Sequence, residues 1–443
     1  MDNKSVVIFK CGILSGLVDD SRKDVRELIG DLRPVIKRIN IYENIFAQTI
    51  TGDIEFQDNV NISSLIPLVG LEFFYIHFGV WDRNTNTFRE YGTETKPLEF
   101  HIYSQAHRHP QRVGSQTFTL RLATKDLSGS IGIKISTKYK DMRVEDIIRS
   151  VLRDYVSSTT PFTDIEQTST TTTIVAPYVT PLDMIRLCTL QGQNEKRESN
   201  YLFYETLDGY HFKSISKMIR EGHTKPITFI TQKLAGIDPT YTSSREYFAD
   251  DLEVVSGYDM MFMSKYGYFA STTYGLDILS GVVTTETSRI SDQKYKSRML
   301  VNGTTGVPLY PDALGEFISP ESKIFVVPST SVSAANTTLT QQDPTIRNNF
   351  IAQTIDGRNG ELVGLQTRTI RGVVPGAPEL HAGTLVDVAF PNPLSMKSIL
   401  PVSDIADGKY LVIATKHSLI NNGIGDFLYE TSFEACSDSI KGV

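Results

Sequence analysis

Apolar and polar positions follow two rhythms along this chain. Between residues 34 and 135 they alternate, or apolar residues gather in short β-branched and aromatic runs, at 35–42 (VIKRINIY), 53–57 (DIEFQ), 73–78 (FFYIHF), 100–103 (FHIY) and 117–122 (TFTLRL). Successive side chains of a strand point to opposite faces, so these segments predict strands with one buried face. Gly52, Gly70, Gly79 and residues 84–86 (NTN) punctuate them as turns. Strands this short and this closely spaced predict a small barrel or sandwich.

At residue 142 the rhythm changes. Val144, Ile147, Ile148, Val151, Leu152 and Tyr155 recur at three- and four-residue steps with charged residues between them, the stripe of an amphipathic helix. Beyond the Ser/Thr run 168–173, Thr180-Pro181 marks a second helix start, with Leu182, Ile185, Leu187 and Leu190 on its apolar face. Leu207-Asp208-Gly209 between aromatic stretches predicts a hairpin. Strand patterns resume at 252–258, 266–271 and 278–285, and residues 296–345 are rich in Ser, Thr, Asn and Pro. A short helix is expected at 345–355, then strands at 362–365, 367–374, 385–390, 410–417 and 427–435. The expected organisation is an N-terminal β-barrel domain over 1–135, an α+β domain over 136–222, and a second, discontinuous β-barrel domain over 223–295 and 346–443. The 296–345 segment interrupts it as a Ser/Thr/Pro-rich insertion. The fold class is β-rich α+β, multi-domain.

Composition narrows the function classes. A chain of 443 residues with 40% hydrophobic content can build two to four cores. A net charge of −7 offers no global attraction to nucleic acid or anionic membrane. Cys11, Cys188 and Cys436, an odd number far apart, fit neither a disulfide framework nor zinc knuckles, and a reducing compartment is expected. The apolar stretch 5–9 is too short for a signal peptide, and Lys10 before Cys11 argues against a lipoprotein signal. Residues 65–81 are broken by Pro67, Gly70 and Glu72, so no membrane insertion is expected.

Catalytic signatures are missing. The sequence has no P-loop, nucleophile elbow, His-Glu-x-x-His or dinucleotide fingerprint. His101, His107 and His109 are the nearest approach to a metal cluster, yet they sit in a polar stretch without a carboxylate or cysteine at ligand spacing and read as an exposed loop. Asp19-Asp20 and Asp250-Asp251 read as solvated turns, Cys188 as a small buried hydrophobe, and Arg108, Arg112 and Arg121 as a solvated face. No catalytic residue, metal or cofactor is expected, and the residues alone point to binding or structure.

One block says more. Residues 39–46 (INIYENIF), then Thr51-Gly52-Asp53-Ile54 with Asp58 and Asn61, then 65–72 (LIPLVGLE) follow one another in an order that resembles the baseplate central hub proteins of contractile-tailed bacteriophages, relatives of the hub portion of type VI secretion spike proteins. Residues 142–148 resemble that family's helix and 201–212 its aromatic hairpin. Gly408, Tyr410 and His417, with Thr431 and Phe433, resemble its last barrel strands. The motif positions Tyr42, Glu43, Phe46, Thr51, Gly52, Asp58, Pro67, Gly70 and Glu72 are expected to build the first barrel: Tyr42 to Phe46 closing a strand, Thr51-Gly52 turning into the next, Asp58 in the loop beyond, Pro67 and Gly70 bending the chain so that Glu72 begins a strand.

The resemblance implies two tail-tube-type barrels per subunit in a homotrimer, a ring that joins a threefold central spike to a sixfold tail tube. Its partners would be the spike, the tail tube or tube-initiator protein and, further out, tape measure and baseplate wedge proteins. DNA would pass through the ring without specific binding. The localisation implied is the tail baseplate of a virion, assembled in the host bacterial cytoplasm. A different class, a polysaccharide- or cell-wall-degrading tail enzyme, predicts two carboxylates roughly 5 to 10 Å apart beside exposed aromatics, for which the single Trp81 is thin support. A capsid or adhesin module, a third class, predicts no trimeric ring.

Overall fold

The computed structural model describes residues 6–14, 27–29, 31–59, 68–82, 87–112, 114–169, 171–196, 198–223, 227–231, 246–257, 259–277, 283–289, 299–303, 307–308, 323–329, 355, 357–390, 406–423 and 426–441. The expected helix at 345–355, Asp19-Asp20 and Pro67 fall almost wholly outside them. The N-terminal part forms β1 (Val6–Leu14), β2 (Glu27–Ile29), β3 (Ile36–Asn44), β4 (Thr51–Asp58), β5 (Phe73–Asp82), β6 (Thr87–Tyr91), β7 (Leu98–Arg112) and β8 (Ser115–Thr124). β1 lies in the apolar stretch too short for a signal peptide. Paired with β5 through Ile8↔Phe78, Cys11↔Ile76 and Ile13↔Phe74, it buries Val6, Ile8, Cys11 and Ile13. A bulge between Ile8 and Lys10 shifts the alternation and sets Lys10 outside, its ammonium 5.2 Å from the Tyr75 ring centroid.

Next come α1 (Lys125–Ile131), β9 (Lys138–Arg143), α2 (Val144–Val151) with a π turn over Leu152–Val156, β10 (Phe162–Ile165), β11 (Thr171–Val175), α3 (Pro181–Thr189), β12 (Tyr201–Thr206), β13 (Gly209–Ser214) and α4 (Ile215–Gly222). The stripe predicted for α2 is buried at Val144, Ile147, Ile148, Val151 and Leu152, against Ile185 and Cys188 of α3 and Tyr210 and Phe212 of β13. Thr180 caps α3, its hydroxyl accepting from the Asp183 amide at 3.2 Å.

The remaining elements are β14 (Ile227–Thr231), β15 (Glu246–Ala249), β16 (Asp251–Ser256), α5 (Met260–Lys265), β17 (Ala270–Asp277), β18 (Val283–Arg289), β19 (Val307–Pro308), β20 (Lys323–Ser329), a helix over 357–365, β21 (Arg368–Pro375), β22 (Leu385–Ala389), β23 (Gly408–Asn421), β24 (Phe427–Ser437) and β25 (Ser439–Ile440). Three readings change here. The strand expected over 266–271 begins only at Ala270, because Asp259 caps α5 and the helix turns out through Tyr266 and Gly267. Residues 362–365 are helical, since a short apolar run fits a buried helix turn as well as a strand. Within the polar insertion, β20 pairs in parallel with β17, and Val301 is fully buried.

Hydrogen bonding explains how these strands are arranged. The neighbours run β23–β3–β4–β8–β7–β5–β1–β24, and β24 pairs back onto β23, so eight strands close into a barrel. A second run, β15–β14–β22–β23–β24–β21–β16, uses the same two strands, and only Asp250 separates its outer members β15 and β16 in sequence. Both strands of the β23–β24 hairpin pass from one run to the other. In β23, Gly408 to Leu411 pair with β22 and Ala414 to Ile420 with β3; in β24, Glu430 to Ser437 pair with β21 and Phe427 meets β1. One core accordingly holds Ile39, Ile54, Phe74, Phe78 and Leu120 with Leu419, Phe427 and Tyr429. The other holds Ile370, Val374, Val386 and Val388 with Tyr410, Val412 and Phe433. The molecule is β-rich α+β, in the class that the rhythm of the sequence predicts.

Candidate functional site

The site lies where the hairpin passes from one β run to the other. In β3, Ile39 and Ile41 point into the first core, and the period of two puts Glu43 on their side. Its carboxylate is fully buried. Thr415, its cross-strand partner, donates its hydroxyl to Oε2 at 3.1 Å. The amide of Leu207, in the β12–β13 turn, donates to Oε1 at 2.8 Å, and the Ala382 amide donates to Oε2 at 3.1 Å. His381 Nδ1 lies 3.0 Å from Oε1, and His417 Nε2 3.6 Å. A single carboxylate thereby ties together β3, the β12–β13 turn, the 377–384 loop and β23.

A second layer surrounds it. His417 Nδ1 is 2.7 Å from the Tyr429 hydroxyl, and His381 Nε2 is 3.4 Å from Asp208 Oδ2. Asp208 also pairs with Arg89 of β6, whose Nη1 reaches the Pro378 carbonyl at 3.4 Å, where the Tyr91 hydroxyl also donates. Burial works against the Glu43 charge, yet the adjacent His381 and His417 hold the carboxyl well below the usual carboxylate range. Burial likewise opposes a proton on His381, and Glu43 with Asp208 raises it. Glu43 and Thr415 are among the residues lining an open groove of about 570 Å³ that also takes in Tyr42, Glu253, Arg371 and Glu434.

The other motif residues have individual structural tasks. Tyr42 is partly exposed and donates its hydroxyl to Asp53 at 2.5 Å, and Phe46 is exposed in the turn after β3. Thr51 and Gly52 do not turn the chain: residues 45–50 do, and both already belong to β4. Gly52 is required there by close approach, since a Cβ would stand 2.7 Å from the Asn40 carbonyl oxygen. Asp58 ends β4 as a buried acceptor for Gln116 Nε2 at 2.9 Å, not in the loop beyond. Glu72 immediately precedes β5, and its buried carboxylate collects the amides of Val69, Gly70 and Leu71 at 3.0 to 3.2 Å. Gly70 takes φ 89°, which a side chain would strain. At the start of β23, Gly408 has φ 134° and stands where a Cβ would meet Asn302 Oδ1 at 2.6 Å; that oxygen accepts from the Lys409 amide. Tyr410 is buried and donates to the Ala406 carbonyl at 2.7 Å.

Of the expected motif residues, Glu43 and His417 meet at the site. His381, Thr415, Asp208, Arg89 and Tyr429 join them without any mark in the sequence, since they come from distant segments with no shared spacing. Asp208 reads there only as a turn residue. His101, His107 and His109 form no ligand cluster: among the described residues, the group of His, Cys, Asp or Glu able to hold an ion is Glu43, His381 and His417. His101 instead contacts the Gly70 carbonyl through Nε2 at 2.8 Å. All three cysteines are buried and unpaired, and burial pushes the Cys188 thiol up to about 12. No helix among the described residues is long and apolar enough to cross a membrane.

No family profile matches this chain, and no curated protein matches it significantly. Solved structures do. The 43 kDa tail protein of prophage MuSo2 from Shewanella oneidensis aligns over 97% of both chains with a TM-score of 0.50 at 10% identity. A tail protein from Neisseria meningitidis aligns over 97% of this chain and 96% of its own at a TM-score of 0.49 and 12% identity. A Francisella PdpA–VgrG complex aligns over 98% of this chain and 58% of its own, with a TM-score of 0.44 and 11% identity. Nearly from end to end, the chain has the fold of the MuSo2 phage tail protein.

Proposed function

We propose that this chain is the structural hub of a phage tail baseplate: a homotrimeric ring that joins a threefold central spike to a sixfold tail tube and forms part of the DNA conduit. The observation that carries this reading is the end-to-end likeness in fold to the MuSo2 tail protein. The two β runs sharing one hairpin support it, because a trimer of such chains presents six similar strand-built units around one axis. The partners follow from that geometry: the spike on the threefold side, the tail tube or tube initiator on the sixfold side, with tape measure and wedge proteins around them. The place of action is the virion tail, after assembly in the host cytoplasm. The domains proposed are those expected from the sequence, except that the β23–β24 hairpin of the last one also closes the first barrel and β20 of the insertion joins β17, with the Glu43 site as the structural tie between them, and the role is non-enzymatic.

Native mass measurement together with projection images tests this. The expected result is three times the 49.5 kDa chain mass and a hollow ring. A chain that stays monomeric with spike and tube partners present overturns the hub. Clearing of host cell walls in a zymogram would replace it with a polymer-degrading enzyme.

A further inference from the structure

We propose that Glu43, His381 and His417 form a buried site for one divalent first-row cation, with zinc as the best fit. The coordinating atoms come from β3, the 377–384 loop and β23, and all lie within 4.8 Å of one another. Ligands at about 2.0–2.2 Å from a tetrahedral zinc stand about 3.3–3.6 Å apart. His381 Nδ1 at 3.0 Å and His417 Nε2 at 3.6 Å from Glu43 Oε1 bracket that separation, so an ion takes the place of the proton now between them with little movement.

The surroundings are those of a ligand set. A metal-bound imidazole needs its far nitrogen held, which fixes the ring and makes the near nitrogen more basic. Here the Tyr429 hydroxyl sits 2.7 Å from His417 Nδ1, and Asp208 Oδ2 stands 3.4 Å from His381 Nε2, an ion-pair separation without a hydrogen bond. Protons on those two far nitrogens leave the lone pairs of His381 Nδ1 and His417 Nε2 for the ion. The Leu207 and Ala382 amides occupy outer lone pairs of Glu43 and hold its plane. Thr415 Oγ1, 3.1 Å from Glu43 Oε2 and 3.4 Å from His417 Nε2, stands beside the fourth corner. Two neutral imidazoles and one carboxylate leave a charge of +1 on the bound site, which the Asp208 carboxylate faces. Complete burial makes the ion a clamp between β3 and the shared hairpin, a role that holds whether or not the chain is a baseplate hub.

The test uses the full chain, stripped by a chelator and then titrated separately with Zn²⁺ and Co²⁺. One ion per chain is expected, with an upward Tm shift on zinc and the visible d–d bands of tetrahedral cobalt without thiolate charge-transfer absorption. Tyr429→Phe, which keeps the ring packed, is expected to weaken zinc about 10–100-fold, and His381→Gln to abolish stoichiometric binding. Folded wild type that takes up no ion, octahedral cobalt bands, or undiminished affinity in His381→Gln each overturn the site. Should His381→Gln fail to fold, the wild-type cobalt spectrum and the Tyr429→Phe affinity decide the matter by themselves.

Discussion

Glu43 occupies a position where the alternation of β3 would suit an isoleucine, and its charge persists there because five groups converge on it from three other segments. The alternation of β3 makes its inward direction legible, while the donors are not. Gly52 presents the opposite case: it looks like a turn glycine, but its real constraint is the Asn40 carbonyl of the neighbouring strand. Gly52→Ala is therefore expected to destabilise the chain by about 1–3 kcal/mol, read as a lower urea midpoint with unchanged m-value. Glu205 carries a pH dependence. Burial, with Asp126 and Glu43 adding like charge, raises its carboxyl from the usual 4.5 to about 8, while the Ile50 amide and the Thr124 hydroxyl work the other way, and Tyr210 lies nearby. A raised acid holds its proton in the folded chain after the unfolded chain has lost it. This stability is complete below about 4.5 and disappears as pH rises through about 8. Urea midpoints between pH 5 and 9 should fall more steeply in wild type than in Glu205→Gln, which keeps an acceptor for Ile50; parallel profiles would rule this out.

At the scale of elements, local rhythm identifies the helices and most strands because each buries one face against one neighbour. The stripe of α2 and the Thr180-Pro181 start of α3 are found where the pattern puts them. Thr180→Ala should cost about 1 kcal/mol, measured as a drop in Tm, since one hydroxyl caps the Asp183 amide. Short apolar runs mislead: 362–365 is helical, and β1 hides in a stretch whose alternation is broken by the bulge before Lys10. The β23–β24 hairpin makes a stronger prediction. Leu419→Ala in the first core and Val412→Ala in the second are each expected to lower one common unfolding transition, by about 1–5 kcal/mol, because one hairpin is a wall of both. Two separately shifting transitions in calorimetry would refute that coupling.

For the whole molecule, a net charge of −7 and the proposed conduit role predict that DNA is not retained. Gel-shift measurements at low salt should show no complex, whereas an affinity falling steeply with salt, as several phosphate contacts require, would contradict the conduit. The sequence by itself determined the β-rich α+β class, the two main helices and the Asp-Gly hairpin, because each follows from period, cap or turn chemistry within a few residues. Only the tertiary structure decided that β23 and β24 serve two β runs, that residues near Val301 and β20 of the polar insertion are built into the fold, and that His381, Asp208 and Thr415 meet Glu43. Strand pairing and ligand convergence are contacts between segments hundreds of residues apart, and no local spacing encodes them.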